Sequence, residues 1–576
     1  MQSKSEEEST ELIKKGGAYL ESEDYEEAKN SFKKALEREG NNAKAWGSLG
    51  LAQRNLKEYD DAIESYKKAI ELDKENVGAW IGLGTTYSNL KKYKEAKECF
   101  EKATELDKED ADAWISLGLY YGNLREHEEA KKCFEKATKL DDDNTRARYN
   151  LGVSYSNLKK HEEAKDCFVK VTELEPKNPD GWLSLGLTYS KMKDKLMDAR
   201  KSFMISTLLD PKNPAGWLGA GVVQQILGKY NEAVESFKKL TELDEKNVDA
   251  WNSLGASYGI IGMHEKAKEC FKKAIELDGK NAMAWGDLGL TQRNLKEYDD
   301  AIESYKKAIE LDKENIGSWI NLGVSYGNLD AHEKAKECFK KAIELDEKNA
   351  KAWSNLGLAQ RNLKEYDDAI ESYKKVIELD KENVGAWTGI GMAYLGLKNY
   401  KEAKKCFEKA VEQDNENTNA WDYLGTSHVK LKNYEEAMKY FERAIKLDPK
   451  NEGAITSLIE LLIIKGNYEE AFEKARANVD LFKSDKYRFL SLFFAAVSLA
   501  LQNKQEEFMK WINKLLRYLQ KAEKPLGISW DFSDTRPTLE QHLKKEDMTL
   551  ISLLIDVLKE EKELMELEKE LKIKKR

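Results

Sequence analysis

The sequence predicts an all-α solenoid of stacked helical hairpins closed by a helical C-terminal cap, and three observations carry that expectation. Tryptophan stands at 46, 80 and 114, and again at 217, 251, 285, 319, 353, 387 and 421, in steps of 34 residues within each run. Each period holds two apolar stripes at helical spacing, separated by a short turn. Charged residues make up 35% of the 576, while 7 prolines and 35 glycines are too few for a linker-rich or disordered chain.

One period, residues 77–110, shows how the pattern folds. Trp80, Leu83, Tyr87 and Leu90 recur at i, i+3, i+7 and i+10 and form the apolar stripe of a first helix. A turn at 91–93 follows, and Ala96, Phe100, Ala103 and Leu106 form the stripe of a second helix. Gly84, Ala96 and Ala103 carry so little bulk that the two backbones can approach closely. A glycine inside a helix costs roughly 1 kcal/mol against alanine, so its return at Gly118, Gly152 and later periods needs a packing reason. Segments of the D-K-E-N type between periods supply the N-cap of the next first helix.

Unit after unit, the order Trp, Leu, Gly, Tyr and then Ala, Phe, Ala resembles the tetratricopeptide repeat family, with that family's closing proline at Pro176, Pro211 and Pro449 only. In this frame fourteen units span residues 9–485, thirteen of 34 residues and one of 35 at 179–213, with Arg148 at the skipped tryptophan site between Trp114 and Trp182, and Leu12 and Ile455 at the site in the first and last units. A lone hairpin cannot bury its apolar flank, so each unit must stack on its neighbours. The resemblance implies a right-handed superhelical solenoid whose first helices line a concave surface.

The extra residue lies in the turn around Met192–Leu196, near Pro176, Pro179, Pro211 and Pro214, and marks either a change of curvature or a tolerated insertion. Outside the repeats, residues 1–8 read as a flexible leader, 486–521 as a degenerate helical hairpin, 522–546 as a loop and 547–576 as a C-terminal capping helix. A terminal unit needs a polar outer face, which that last helix provides, although its LMELEKELKIKK end also suits a short coiled coil.

Chemistry is sparse. Cys99, Cys133, Cys167, Cys270, Cys338 and Cys406 are one structural position copied six times, on hairpins too far apart for a disulfide or a shared metal. His127, His161, His264 and His332 replace the tyrosine that opens other second helices, and His428 replaces a first-helix tyrosine. Acidic pairs such as Asp60 and Asp61 start second helices, where they complement the helix dipole. No phosphate loop, zinc-protease or nucleophile-elbow motif is present, so the chain reads as a non-enzyme without cofactor or metal. A formal charge of −10 speaks against nucleic acid as a partner. The polar MQSKSEEEST start and the lack of long apolar runs speak against a membrane and favour a cytoplasmic protein.

Residues 51–76 recur at 358–383 with Val376 for Ala69 as the one change. Contacts copied along a solenoid favour binding over catalysis, which needs one asymmetric constellation. The resemblance implies ligand contacts from the second, fifth, ninth, twelfth and thirteenth residues of each first helix. At the fifth and ninth these are Ile81 and Thr85, Ile115 and Leu119, Tyr149 and Val153, Leu183 and Leu187, and Leu218 and Val222. This largely apolar strip either meets a protein or peptide ligand in the concave groove or packs between adjacent first helices. Arg54, Arg293 and Arg361 hold the twelfth position and suit acidic side chains or peptide backbone. Asparagines at the thirteenth, such as Asn89 and Asn123, either join them or cap the helix in the left-handed conformation. The expected role is a protein–protein interaction scaffold or adaptor, and the alternative is an assembly protein that self-associates through the strip or its last helix.

Overall fold

The computed structural model describes residues 2–521 and 530–558. The chain is an all-α repeat solenoid of paired helices, with additional helices forming a C-terminal cap. It divides into two compact units, Met1–Gly279 and Lys280–Arg576.

In the first unit, helix Val77–Asn89 packs on Tyr93–Leu106, which packs in turn on the next first helix, Ala111–Asn123. Successive first helices also touch directly, as Val77–Asn89 touches Ala111–Asn123. The second unit repeats this arrangement with Thr418–Lys430, Tyr434–Leu447 and Glu452–Ile464. In each unit the first helices therefore form one continuous face.

Local chemistry explains the repeat. Asn76 Oδ1 accepts the Ala79 N–H at 2.9 Å and Asn383 Oδ1 accepts the Ala386 N–H at 2.9 Å, so the asparagine that ends these linkers is an N-cap, a part Asp110 plays for helix Ala111–Asn123. The tryptophan pins the helix to that linker, since Trp80 Nε1 donates to the Lys74 carbonyl at 3.1 Å. At the skipped site Arg148 Nε donates to the equivalent Asp142 carbonyl at 3.1 Å. The guanidinium reproduces the indole bond, which is why the unit tolerates losing its tryptophan.

The recurrent glycine has a sharper role than letting backbones meet. A Cβ on Gly84 would lie 2.9 Å from the Phe100 ring, and one on Gly118 would lie 2.7 Å from the Phe134 ring. The missing side chain makes room for the aromatic ring of the second helix in the same unit, and that ring is buried.

The turn corrects the capping expectation for asparagine. Asn89 is the last residue of its helix and is exposed, and the left-handed conformation falls at Lys91, with φ 59°, as at Lys57 with φ 64°. The Lys92 N–H reaches back to the Tyr87 carbonyl at 2.9 Å, a closure that places the positive φ on the residue just before the donor. Gly228, Gly262 and Gly466 hold this position in three units, where it carries no steric cost.

In the 35-residue unit the first helix, Pro179–Ser190, has 12 residues and the second, Leu196–Leu209, keeps 14. Phe203 still lies under Gly186, 2.9 Å from the position of its absent Cβ. The lengthened turn takes up the insertion and the hairpin packing is preserved.

Helix Gln2–Glu21 includes residues 2–8 of the stretch expected as a leader, and Ser9 is buried against the second helix, its Oγ donating to the Ala35 carbonyl at 3.3 Å. Past the repeats, Asp485–Leu501 and Gln505–Lys521 pair as a hairpin. Helix Arg536–His542 falls inside the stretch expected as loop, and Lys545–Leu558 follows it. Residues 522–529, with Pro525 and Gly527, and 559–576, with the coiled-coil-like end, lie outside the described residues. The cap buries Phe489, Phe493, Phe494, Phe508, Leu550 and Leu554 in one core.

Candidate protein-binding faces

The face made by the first helices differs along its length in the Met1–Gly279 unit. Ile115 is fully buried and belongs to the core around Phe134 and Leu151, so it presents nothing to a ligand. Ile81, Leu119, Val153 and Leu183 are half-buried against the cores of their own units. Thr85 is half-buried, with its Oγ1 donating to the Ile81 carbonyl at 2.8 Å. Tyr149 stands edge-on to Phe168 at 5.6 Å and accepts a hydrogen bond from Ser184 Oγ at 3.1 Å. Most of the early strip is thus committed to packing between helices.

Further along, the side chains open to solvent. Leu187 is 48% exposed, Leu218 40% and Val222 39%. Ile226 and Ile260, at the thirteenth position of their helices, are more exposed still, at 61% and 58%. Leu218, Val222 and Ile226 recur at i, i+4 and i+8 on helix Pro214–Ile226 and share one side of it. That helix touches both Pro179–Ser190 and Val248–Ile260, so the five residues form a stripe across three adjacent first helices. Ile226 and Ile260 were missed in the sequence, although isoleucine where other units have asparagine was the available signal.

The three arginines do not converge. Arg54 lies in the first unit, half-buried, and Arg293 and Arg361 lie in the second, two repeats apart. Arg293 Nη1 donates to Asn321 Oδ1 at 3.0 Å and Arg361 Nη1 to Met392 Sδ at 3.0 Å, each reaching the next first helix. These two side chains brace neighbouring repeats.

A second apolar surface lies on the second helix Leu196–Leu209. Met197, Met204 and Leu208 are exposed, Leu208 at 79%, where the equivalent residues in the 111–144 unit are Glu128, Glu135 and Lys139. Beside them an open cavity of about 560 Å³ is lined by Met204, Leu208, Pro211 and Trp217 and bordered by the Arg200–Glu232 ion pair at 2.5 Å.

On the last two first helices of the Lys280–Arg576 unit the corresponding face is polar and covered, whereas Leu290 and Leu358, at ninth positions earlier in that unit, are exposed. Asp422, Lys430 and Glu460 occupy fifth, thirteenth and ninth positions on helices Thr418–Lys430 and Glu452–Ile464. Glu460 accepts hydrogen bonds from Trp530 Nε1 at 2.9 Å and from Thr535 Oγ1. Burial pushes its carboxyl up to about 7, against the pull of these two donors. Lys430 Nζ pairs with Asp531 at 2.7 Å and Asp534 at 2.5 Å. Burial also raises the Asp422 carboxyl to about 7, and its Oδ1 has no hydrogen-bond partner. Carboxylates at positions that are apolar in other units were the sequence signal for this site.

His428 is buried edge-on to Tyr440 at 5.0 Å, and burial lowers its pKa. Neither of its ring nitrogens has a hydrogen-bond partner. The six cysteines are free and buried, and burial pushes the Cys99 and Cys133 thiols up to about 12. Among the described residues no group of His, Cys, Asp and Glu is placed to hold a metal ion, and no helix is long and apolar enough to cross a membrane.

Stacked helical hairpins with a continuous first-helix face define a repeat protein of the protein-interaction class. Comparison with known families agrees: tetratricopeptide repeat families match residues 145–178, 248–281, 282–315, 317–349, 350–383, 384–417 and 418–451, and a further repeat family matches 226–262. Residues 3–141 match the cilia and flagella-associated protein 70 C-terminal domain. The chain belongs to the tetratricopeptide repeat family, a fold typical of non-catalytic scaffolds. Among curated proteins none matches it. Among solved structures it is similar to the APC/C hetero-tetramer Cut9-Hcn1, at 17% identity over 79% of this chain and 96% of that one, with a TM-score of 0.36. It is also similar to yeast Tom70, at 18% identity over 78% and 100%, with a TM-score of 0.37. A third is YrrB, described as a repeat protein with an unusual peptide-binding site, at 25% identity over 32% and 96%, with a TM-score of 0.29.

Proposed function

We propose that the chain is a scaffold that holds an apolar segment of a partner protein on the first-helix face of the Met1–Gly279 unit. The observation that carries this reading is the exposed stripe of Leu187, Leu218, Val222, Ile226 and Ile260 on three touching helices. The apolar residues that succeed one another along Pro214–Ile226 match the spacing of an amphipathic helical ligand laid along a groove. Panning a random peptide library against the whole chain tests it. Selected apolar peptides should lose at least ten-fold in affinity on Leu218→Glu with Val222→Glu, and equal binding to that variant would remove this face from the mechanism.

The exposed Met197, Met204 and Leu208 favour a second reading, self-association through the face of Leu196–Leu209. Sedimentation equilibrium separates the two: a concentration-dependent mass abolished by Leu208→Lys supports association, and a constant monomer mass eliminates it.

A further inference from the structure

At helices Thr418–Lys430 and Glu452–Ile464 the chain covers its own first-helix face, and the way it does so specifies a ligand. Residues 530–535 follow no regular helix or strand, and side chains bind them to the repeats. The Trp530 indole N–H and the Thr535 hydroxyl both donate to Glu460. Asp531 and Asp534 close on Lys430 from the other side. Phe532 is 4% exposed and stands edge-on to Phe493 at 5.1 Å, while Trp530 stands edge-on to Tyr487 at 6.5 Å. The repeat residues engaged, Lys430 and Glu460, hold a thirteenth and a ninth position. Charge is matched at every tie: a cation meets two carboxylates, and a carboxylate meets two donors.

We propose that residues 530–535 are a built-in occupant of a peptide-binding site formed by helices Thr418–Lys430, Glu452–Ile464 and Asp485–Leu501. The site takes in exchange a partner segment of the same chemistry, a tryptophan followed by carboxylates one and four residues later. This rests on the reading of the chain as a binding scaffold, but it concerns a different unit and a different ligand class from the apolar stripe. A tethered occupant acts at an effective concentration of order millimolar, so a free peptide with the same contacts competes poorly until the occupant is weakened. The site is thereby closed to weak ligands and open to a partner that adds contacts.

The test uses the whole chain and a labelled synthetic peptide of residues 530–543, with fluorescence anisotropy as the readout. Trp530→Ala with Asp534→Ala, which loosens the resident segment, should bind the peptide at least ten-fold more tightly than the wild type does. Adding Lys430→Glu should abolish that binding, and a peptide with alanine for Trp530 should not bind. Failure of the loosened chain to bind the peptide saturably, with its helical circular dichroism intact, overturns the proposal. Hydrogen exchange on the wild type provides a check that needs no variant. Amides of 530–535 should exchange at least ten-fold faster than those of Asp485–Leu501, and exchange at the same rate would make the segment a fixed part of the cap. Neither result bears on the Leu218 and Val222 experiment, so the two readings fail separately.

Discussion

The first-helix face around Leu218 and the one around Glu460 are built on the same hairpin, yet one is apolar and open and the other is polar and occupied. Part of what makes the hairpin is shared, the capping asparagine (Asn213 and Asn451) and the first alanine of the second helix (Ala233 and Ala471), whereas Gly221 and Phe237 of one hairpin are replaced by Ile459 and Ala475 in the other. The residues that give each face its character sit at the fifth, ninth and thirteenth positions. A repeat protein of this kind separates folding from recognition by position, so one scaffold carries two unlike faces.

Four experiments test that contrast, beginning with the largest effect. Phe532→Ala removes a ring that is 4% exposed and should cost about 3–5 kcal/mol in urea unfolding of the cap, whereas Leu218→Ala at a 40% exposed site should stay within about 0.5 kcal/mol. Equal costs would mean the two faces are not differently engaged.

The second experiment varies pH. The carboxyl of Glu460 is raised from 4.5 to about 7 by burial, so the folded cap binds its proton more tightly than the unfolded chain. Its stabilising contribution is fully present below about 4.5 and is lost as pH rises through about 7, a change of about 3 kcal/mol. Asp422 acts in the same sense, and His428, with its lowered pKa, acts in the opposite one by losing stability as pH falls below 6.5. Lys430 and Asp534 also face Glu460, with opposing effects on its charge. Comparing thermal midpoints of wild type and Glu460→Gln between pH 4.5 and 7.5 isolates the one carboxyl, and identical slopes would refute the assignment.

The third asks how strictly the hairpin excludes bulk where a glycine lies under an aromatic ring. Gly118→Ala, whose new methyl would fall 2.7 Å from the Phe134 ring, should destabilise its repeat by about 1–3 kcal/mol, and Gly122→Ala, with no atom within 4 Å, should not. The smallest effect is expected for Leu218→Glu with Val222→Glu, which should leave the melting temperature within about 2 °C while removing peptide binding. A cooperative loss of helix would show that the stripe holds the repeats together.

Much of the fold was legible because it is local. The 34-residue period, the asparagine N-caps, the glycine paired with an aromatic sixteen residues later and the buried cysteine position all depend on contacts within a hairpin or between neighbouring ones. The face was only half legible. Ile115 and Leu218 hold the same fifth position, yet one is fully buried and the other open, because exposure depends on the bulk contributed by neighbouring repeats. The asparagine at the thirteenth position suggested a left-handed cap, but the backbone closure shifts that conformation two residues on, to lysine. Nothing periodic announced that Trp530 meets Glu460, a contact spanning 70 residues to a segment outside the repeats.

The copied thiols supply an internal gauge of breathing in the array. Each of Cys99, Cys133, Cys167, Cys270, Cys338 and Cys406 is buried at the seam with the preceding hairpin, as Cys99 is with Ile63 and Tyr66, and alkylation requires a thiolate exposed to reagent. The natural sequence therefore carries six reporters, and their separate labelling rates, read by peptide mass spectrometry, would show which links of the chain open first and whether a captured partner locks them shut.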